Sequence, residues 1–268
     1  MTEDLLAPGV LDRDVGAIAA EYRARGFCHV PNVASSEALS RLRERAADIM
    51  HGRMTYPGLF FQLDTTTGAY EDLEFGAGWR GPSDNYRKIE KLELDPLFRA
   101  WLDNAFFEKV VRAVVGAEVS IYRAILMTKA ARGGTVLPWH QDAGKFWGLD
   151  RDPPIQIWTA LDDAPEQAGC VEALEGSHLR GLVTPLGGLV PEAMAREADA
   201  EARALPIPAR AGDVIVLHNH VWHRSGVNST GQTRRAFSVC YMSAQTRCTR
   251  KKRTPRTFVR VFSRAAPG

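Results

Sequence analysis

The 268-residue chain carries no excess of charge: 34 Lys and Arg against 32 Asp and Glu leave a formal net charge of +2, so nothing global points to a nucleic-acid or acidic-membrane partner. It has only four cysteines, Cys28, Cys170, Cys240 and Cys248. They form no CxxC pair, which argues against a disulfide framework or a cysteine zinc site and fits reduced, mostly buried thiols. Residues 1–8 lack a basic stretch followed by an apolar one, and no window approaches the roughly 18 apolar residues of a membrane span. The expectation is a cytoplasmic protein with neither a membrane nor a nucleic-acid partner. No repeat, low-complexity tract or linker interrupts the chain, so one domain is expected.

What remains is a globular composition, 45% hydrophobic and 25% charged, large enough for a substantial core. Val15, Ile18, Ala19 and Tyr22 recur at helical spacing before Gly26, and the apolar run 27–30 reads as a strand. Ser36 is a candidate cap for a second helix carrying Leu39, Leu42, Ala46, Ile49 and Met50. Residues 51–86 are rich in Gly, Thr, Pro and aromatics, among them Phe75, without a sustained period; such segments are often functional loops. Asp95-Pro96 reads as a cap and first turn of one or two helices ending at Gly116.

Beyond Gly116 the texture becomes β-rich, with short runs at 119–128, 156–161, 170–174, 214–218 and 236–242, the pattern of a sandwich or barrel. Residues 191–204 read as an exposed helical insert, and the basic run 247–256 as a solvated tail. The expected organisation is a helical scaffold at about 10–116, a β core at about 117–246 and a basic C-terminal tail.

Chemistry concentrates in two places. In Pro138-Trp139-His140-Gln141-Asp142 an imidazole and a carboxylate stand two residues apart, so on an extended chain both project from one face. Far downstream, His218, His220 and His223 follow the strand 214–217. Two imidazoles and one carboxylate form a facial triad that leaves coordination positions open, as non-haem Fe(II) oxygenases require; closed structural zinc sites need four protein ligands. An HxD alone is weak, and spacing does not choose among the three distal histidines. His218 and His220 share strand parity, so an HxH pair remains open. Arg234 favours His223: an extended strand there puts Arg234, Ala236, Ser238 and Cys240 on one face and Arg235, Phe237, Val239 and Tyr241 on the other. The first face suits a barrel interior with room for a dicarboxylate, which an arginine fork grips in bidentate fashion.

These residues resemble the phytanoyl-CoA dioxygenase family of Fe(II)/2-oxoglutarate oxygenases. The resemblance runs through Gly26-Phe27 and Pro31-Asn32-Val33, His140-Gln141-Asp142, Trp158-Thr159-Ala160-Leu161, Gly169-Cys170, Gly176-Ser177-His178, Gly212-Asp213, His223-Arg224-Ser225-Gly226, Asn228 and Arg234. It implies a mainly β fold with flanking helices around a double-stranded β-helix, the jelly-roll or cupin-like barrel. It also implies Fe(II), 2-oxoglutarate and O2 as cofactor and co-substrates, selects His140, Asp142 and His223 as iron ligands, and selects Arg234 for the co-substrate. By the same resemblance Lys88, Trp158 and Ser225 line the co-substrate, and Ile125 stands where relatives place a methionine. Arg224 departs from the usual glycine and would crowd the entrance.

The resulting expectation is a dioxygenase that hydroxylates a C–H bond of a small polar or anionic molecule, releasing succinate and CO2. Asp142 argues for hydroxylation over halogenation, because halogenases of this type carry a small residue there. For substrate, the aromatic and basic residues Phe61, Trp79, Arg80 and Arg87 are expected to form a lid, with Trp147 at the same mouth. His178 is read as structural. The alternatives are a cupin-like isomerase or lyase using His218, His220 and His140, and a catalytically silent binding module. Oligomeric state does not follow from these residues.

Overall fold

The computed structural model describes residues 3–74, 76, 78–251 and 254–262; Phe75 of the aromatic segment, and Lys252 and Arg253 of the basic run, lie outside the described residues. Helix α1 (Val15–Arg25) is capped by Asp14, whose carboxylate accepts from Ala17 N at 3.0 Å, and ends at Gly26 with φ 87°. A Cβ at Gly26 would lie 2.6 Å from His178 Nδ1, so both the left-handed turn and the close approach require glycine there. Strand β1 (Phe27–Val30) follows. The cap of α2 (Ser36–Met50) is Ser35, one residue before the expected Ser36. Asp95 caps α3 (Pro96–Leu102) through Leu97 N and Phe98 N, and Asn104 caps α4 (Ala105–Val115).

Residues 51–86 are less irregular than the sequence suggested. Within them β2 (Phe60–Leu63) forms an antiparallel pair with β3 (Tyr86–Glu90), and β3 joins β4 (Val119–Lys129). The rest of the β core is β5 (Leu137–Gln141), β6 (Ile155–Ala160), β7 (Val171–Leu174), β8 (Gly188–Leu189), β9 (Leu205–Ile207), β10 (Val214–His218), β11 (Trp222–Ser225), β12 (Arg234–Ser243) and β13 (Arg260–Val261). One sheet runs β1-β10-β6-β12-β4-β3-β2, with β13 added on β4; the other runs β8-β5-β11-β7-β9. All pairings are antiparallel. Two such sheets with flanking helices are the expected double-stranded β-helix.

Strand parity divides the core. Ile157, Val214, Val216, Phe237, Val239 and Tyr241 face the helices, where they meet Phe98, Trp101, Phe106 and Phe107. The alternate residues Trp158, Ala160, Ile215, Leu217 and Ala236 turn inward against Val171 and Ala173 of the smaller sheet. The barrel interior is thus lined with small or polar side chains where β12 crosses it.

Two expected appendages belong to the fold. Helices α5 (Glu192–Glu197) and α6 (Ala200–Arg203) pack Met194, Ala195, Ala198 and the buried Ala200 on Trp139, Leu174 and Trp222. Residues 191–204 are helical and mostly exposed, as expected, and their inner side also covers an outer face of the smaller sheet that would otherwise leave two indoles in water. The described part of the basic run is mostly exposed, as expected, but it is tethered rather than free. Arg247 N donates to Asp150 Oδ1 at 2.8 Å, Arg250 donates to Phe146 O at 2.6 Å, Arg256 lies over the Tyr122 ring, and β13 then pairs with β4. Among the described residues no helix is long and apolar enough to cross a membrane.

Candidate metal centre and cavity

His140 on β5 and His223 on β11 are direct register partners across an antiparallel pair. Cross-strand partners project to the same face, and here the ring centroids lie 4.0 Å apart. Asp142 follows β5 by one residue; its backbone N–H donates to Asn219 O at 2.8 Å, which fixes the turn that returns the carboxylate to the two rings. One ligand atom from each of His140, Asp142 and His223 lies within 4.8 Å of the others.

The hydrogen-bond pattern assigns the tautomers. His140 Nδ1 contacts Pro138 O at 2.8 Å and His223 Nδ1 contacts Val221 O at 3.0 Å. A carbonyl accepts only from N–H, so each Nδ1 carries the proton and each Nε2 presents a lone pair toward the other ligands. Asp142 Oδ2 lies 3.6 Å from His223 Nε2. Burial draws the His140 pKa down to about 3, with the His223 ring adding to the effect. Burial alone would raise the Asp142 carboxyl; the guanidinium of Arg123 and the contact with His223 outweigh it and hold it well below the usual carboxylate range. Neutral imidazoles and an ionised carboxylate on one side of an open cavity are the donor set that Fe(II) requires.

The carboxylate is oriented from behind. Arg123 Nη2 donates to Asp142 Oδ1 and Gln156 Nε2 to Oδ2, both at 2.9 Å. Arg123 in turn lies over the Trp147 ring at 4.4 Å, and Trp147 stacks on Tyr122 with centroids 4.4 Å apart. Sequence reasoning missed Arg123 and Gln156: both sit on strand faces whose only signal is parity, and neither belongs to a motif.

A cavity of about 270 Å³ opens in front of the triad. Arg234, Ser225, Trp158, Ile125 and Lys88, all expected at the co-substrate, line it. The Arg234 guanidinium is buried, lies over the Trp158 ring at 5.6 Å and donates to Gly169 O at 2.9 Å, while its Nε has no partner. Burial lowers its pKa to about 10, leaving it a cation at neutral pH. Lys88 is engaged by Glu90 at 2.5 Å. Arg235, on the opposite face of β12, pairs with Asp162 at 2.8 Å.

The expected lid separates into two groups. Arg87 and Trp147 line the cavity, joined by Gln62 and Tyr70 from the same stretch of chain as Arg87. Phe61, Trp79 and Arg80 are not brought to it. Phe61 is 8% exposed and packs on Tyr86 in the main core; Trp79 is half exposed beside Gly52; Arg80 is exposed and 3.6 Å from Glu74. The β2–β3 pairing puts Phe61 on the core face of a sheet edge, so the ring is structural. The mouth is formed instead by Phe146, 64% exposed, and Leu189, the register partner of His140.

Arg224 does not crowd that mouth with its guanidinium. It shares a strand face with Trp222, donates to Glu172 Oε2 at 3.0 and 2.9 Å, contacts Glu201 and lies over the Trp139 ring at 4.7 Å. His218 and His220 also stand apart from the triad. His220 pairs with Asp152 at 3.0 Å, and His218 packs between His220, His178 and Tyr22. Among the described residues the one group of three or more metal-binding side chains is His140, Asp142 and His223. His178 contacts Arg23 O at 2.9 Å, a structural role.

Comparison with known proteins agrees with this geometry. The family profile described as Phytanoyl-CoA dioxygenase (PhyH) matches residues 22–236. Phytanoyl-CoA dioxygenase 1 of Oryza sativa subsp. japonica is 24% identical over 246 residues, covering 81% of this chain and 85% of that protein. In fold, the chain resembles the non-haem alpha-ketoglutarate-dependent carbocyclase SnoK from nogalamycin biosynthesis, at TM-score 0.72 and 18% identity over 95% of this chain and 99% of that one. It also resembles EctD from S. alaskensis, solved with 2-oxoglutarate and 5-hydroxyectoine, at TM-score 0.67 and 18% identity over 86% and 76% of the two chains.

Proposed function

The chain belongs to the phytanoyl-CoA dioxygenase family, and on that premise we propose that it is an Fe(II)- and 2-oxoglutarate-dependent dioxygenase that hydroxylates a C–H bond of a small polar or anionic molecule, acting as a single oxygenase domain. The observation that carries this reading is the open triad of His140, Asp142 and His223 in one cavity with the buried Arg234. A structural metal site would close the fourth position and would have no use for a buried cation beside it.

When bound, Fe(II) with 2-oxoglutarate and O2 supplies the oxidising chemistry, with succinate and CO2 as the co-substrate's products. The chain's residues supply geometry. His140 and His223 offer Nε2 from adjacent strands, and Asp142 offers the carboxylate that Arg123 and Gln156 orient. Arg234 takes the distal carboxylate of 2-oxoglutarate with Ser225 beside it, Trp158 flanks that end, and Ile125 closes the wall. Trp147 and Phe146 bound the side from which the prime substrate enters and help exclude water. Arg87 contributes positive charge to the same space, which suits an anionic or strongly polar substrate.

The solved neighbours include a carbocyclase as well as a complex with 2-oxoglutarate and 5-hydroxyectoine, so the test must separate outcomes that share one site. Candidate small molecules are screened with the Fe(II)-loaded protein for succinate formation, and each hit is repeated under 18O2. One 18O atom in the organic product is the predicted result. Succinate formation with an unlabelled, cyclised or epimerised product contradicts hydroxylation while leaving the family chemistry in place.

A further inference from the structure

Five basic side chains reach the cavity: Arg87, Lys88, Arg123, Lys129 and Arg234. Two have carboxylate partners, Lys88 with Glu90 and Arg123 with Asp142. Among the described residues Arg87, Lys129 and Arg234 make no ion pair. Lys129 and Arg234 are direct register partners on β4 and β12, so their stems stand side by side on the inward face. Both are nearly fully buried, at 6% and 4% exposure. Two buried basic groups side by side with no ion-paired carboxylate are unfavourable unless a ligand brings one or a proton is given up.

The amine of Lys129 is also held in place. It donates to Thr135 O at 2.6 Å, and Asn228 Nδ2 donates to Lys129 O at 3.3 Å. Gly134, at φ 86°, crosses so closely that a Cβ there would lie 2.8 Å from Lys129 Cβ. The stem is thus packed against Gly134, and the amine is directed to Thr135 O. Lys88, the lysine that the family resemblance puts at the co-substrate, is already neutralised by Glu90, whereas Lys129 stands beside the arginine with no carboxylate of its own.

We propose that Lys129 is a second anchor for the distal carboxylate of 2-oxoglutarate, and that the co-substrate binds with uptake of one proton onto Lys129 Nζ. This rests on the reading of Arg234 as the co-substrate arginine. The charged groups that face the amine are Arg234 from β12, Arg87 from β3 and Asp64 from the turn after β2. Asp64 accepts from Thr135 N and Oγ1 and from Thr65 N through Oδ1, its Oδ2 has no hydrogen-bond partner, and it makes no ion pair with Lys129 among the described residues. Burial, then Arg234 and Arg87, pull the amine down to about 6 against the opposing pull of Asp64. At pH 7.5 it is mostly a neutral amine in the free protein. An arriving carboxylate favours the ammonium form, so the bound-state pKa rises and a proton is taken from solvent. Between the free and bound pKa values affinity then falls as pH rises, by about tenfold per pH unit.

The test is calorimetric titration of 2-oxoglutarate into anaerobic Fe(II)-loaded protein at pH 7.5, in two buffers of different ionisation enthalpy, with the dissociation constant also followed from pH 6.5 to 8.5. Wild type is expected to take up about one proton per 2-oxoglutarate. Lys129→Met should take up none and bind about tenfold more weakly at pH 6.5, with little pH dependence. Lys129→Arg, charged throughout, should also take up none and hold its affinity to pH 8.5. Wild-type binding without proton uptake overturns the inference, even if the variants fail to fold, as does uptake that persists in Lys129→Met. Absence of any 2-oxoglutarate binding to wild type overturns the co-substrate reading itself, and the inference with it.

Discussion

The Arg123 guanidinium donates to Asp142 Oδ1 at 2.9 Å, which leaves Oδ2 as the oxygen nearest His223 Nε2, at 3.6 Å. The triad carboxylate is thus held by a partly buried cation. Burial opposes the charge on Arg123, and the neighbouring Asp142 carboxylate more than offsets it, raising its pKa above the ordinary arginine value.

Arg123→Met should destabilise the metal-free protein by about 1–3 kcal/mol, the range for leaving a largely buried acceptor without its partner. A divalent ion at the triad supplies a replacement positive charge, so saturating Mn(II) should recover much of the loss. Urea unfolding of both proteins with and without Mn(II) reads this directly. Equal losses in the two conditions would mean that Arg123 acts through packing on Trp147 and not through the carboxylate.

Arg234 and Arg235 are adjacent in sequence but face opposite sides of β12, one lining the cavity and the other paired with Asp162. Arg234→Ala removes a charge-assisted carboxylate contact worth roughly 1.5–3 kcal/mol, so 2-oxoglutarate affinity should fall about ten- to a hundredfold with iron affinity little changed. Arg235 donates to both oxygens of Asp162, at 2.8 and 3.1 Å. Arg235→Ala should therefore lower the unfolding midpoint and spare 2-oxoglutarate binding. The reversed pattern in a binding titration would contradict the observed parity of β12.

His218 gives the protein an acid-sensitive element away from the triad. Its Nδ1 accepts from His220 N at 3.0 Å, and burial holds its pKa at about 3, with His220 and His178 pushing the same way. Below the unfolded value of about 6.5 the unfolded chain binds a proton that the folded chain does not. The His218 contribution is therefore fully present above pH 6.5 and is lost as pH falls toward 3. His140 acts in the same direction, so His218→Gln should flatten, without abolishing, the decline in the urea midpoint between pH 6.5 and 4. An unchanged slope would show that the ring is not held neutral.

The strand that carries Arg234 was legible because small or polar and large apolar residues alternate along it, and that period of two separates interior from helix-facing positions. His140 and Asp142 were legible for the same reason, whereas the choice of His223 over His218 and His220 needed the family resemblance. Arg123 was not legible, because its partner is 19 residues away and their meeting depends on where β4 lies in the sheet. Phe60–Leu63 escaped notice because four strand residues stand among Gly, Thr and Pro that carry no period. Once β2 pairs with β3, Phe61 belongs to the core, and the lid read from aromatic content loses its first ring. Residues 191–204 and 247–256 looked polar enough for solvent. The surfaces they touch, Trp139 with Trp222 for the first and the Tyr122 ring for the second, are assembled from distant strands and loops that no local pattern reveals.

The central claim, an iron site made by His140, Asp142 and His223 that takes 2-oxoglutarate, is tested most directly by anaerobic titration of Fe(II) and then 2-oxoglutarate into the apoprotein, followed in the visible for a metal-to-ligand charge-transfer band. One Fe(II) per chain and a weak band on addition of 2-oxoglutarate are predicted for wild type and for His220→Ala, with the band lost in Asp142→Ala and His223→Ala. Full iron binding by His223→Ala together with its loss in His220→Ala would contradict the account.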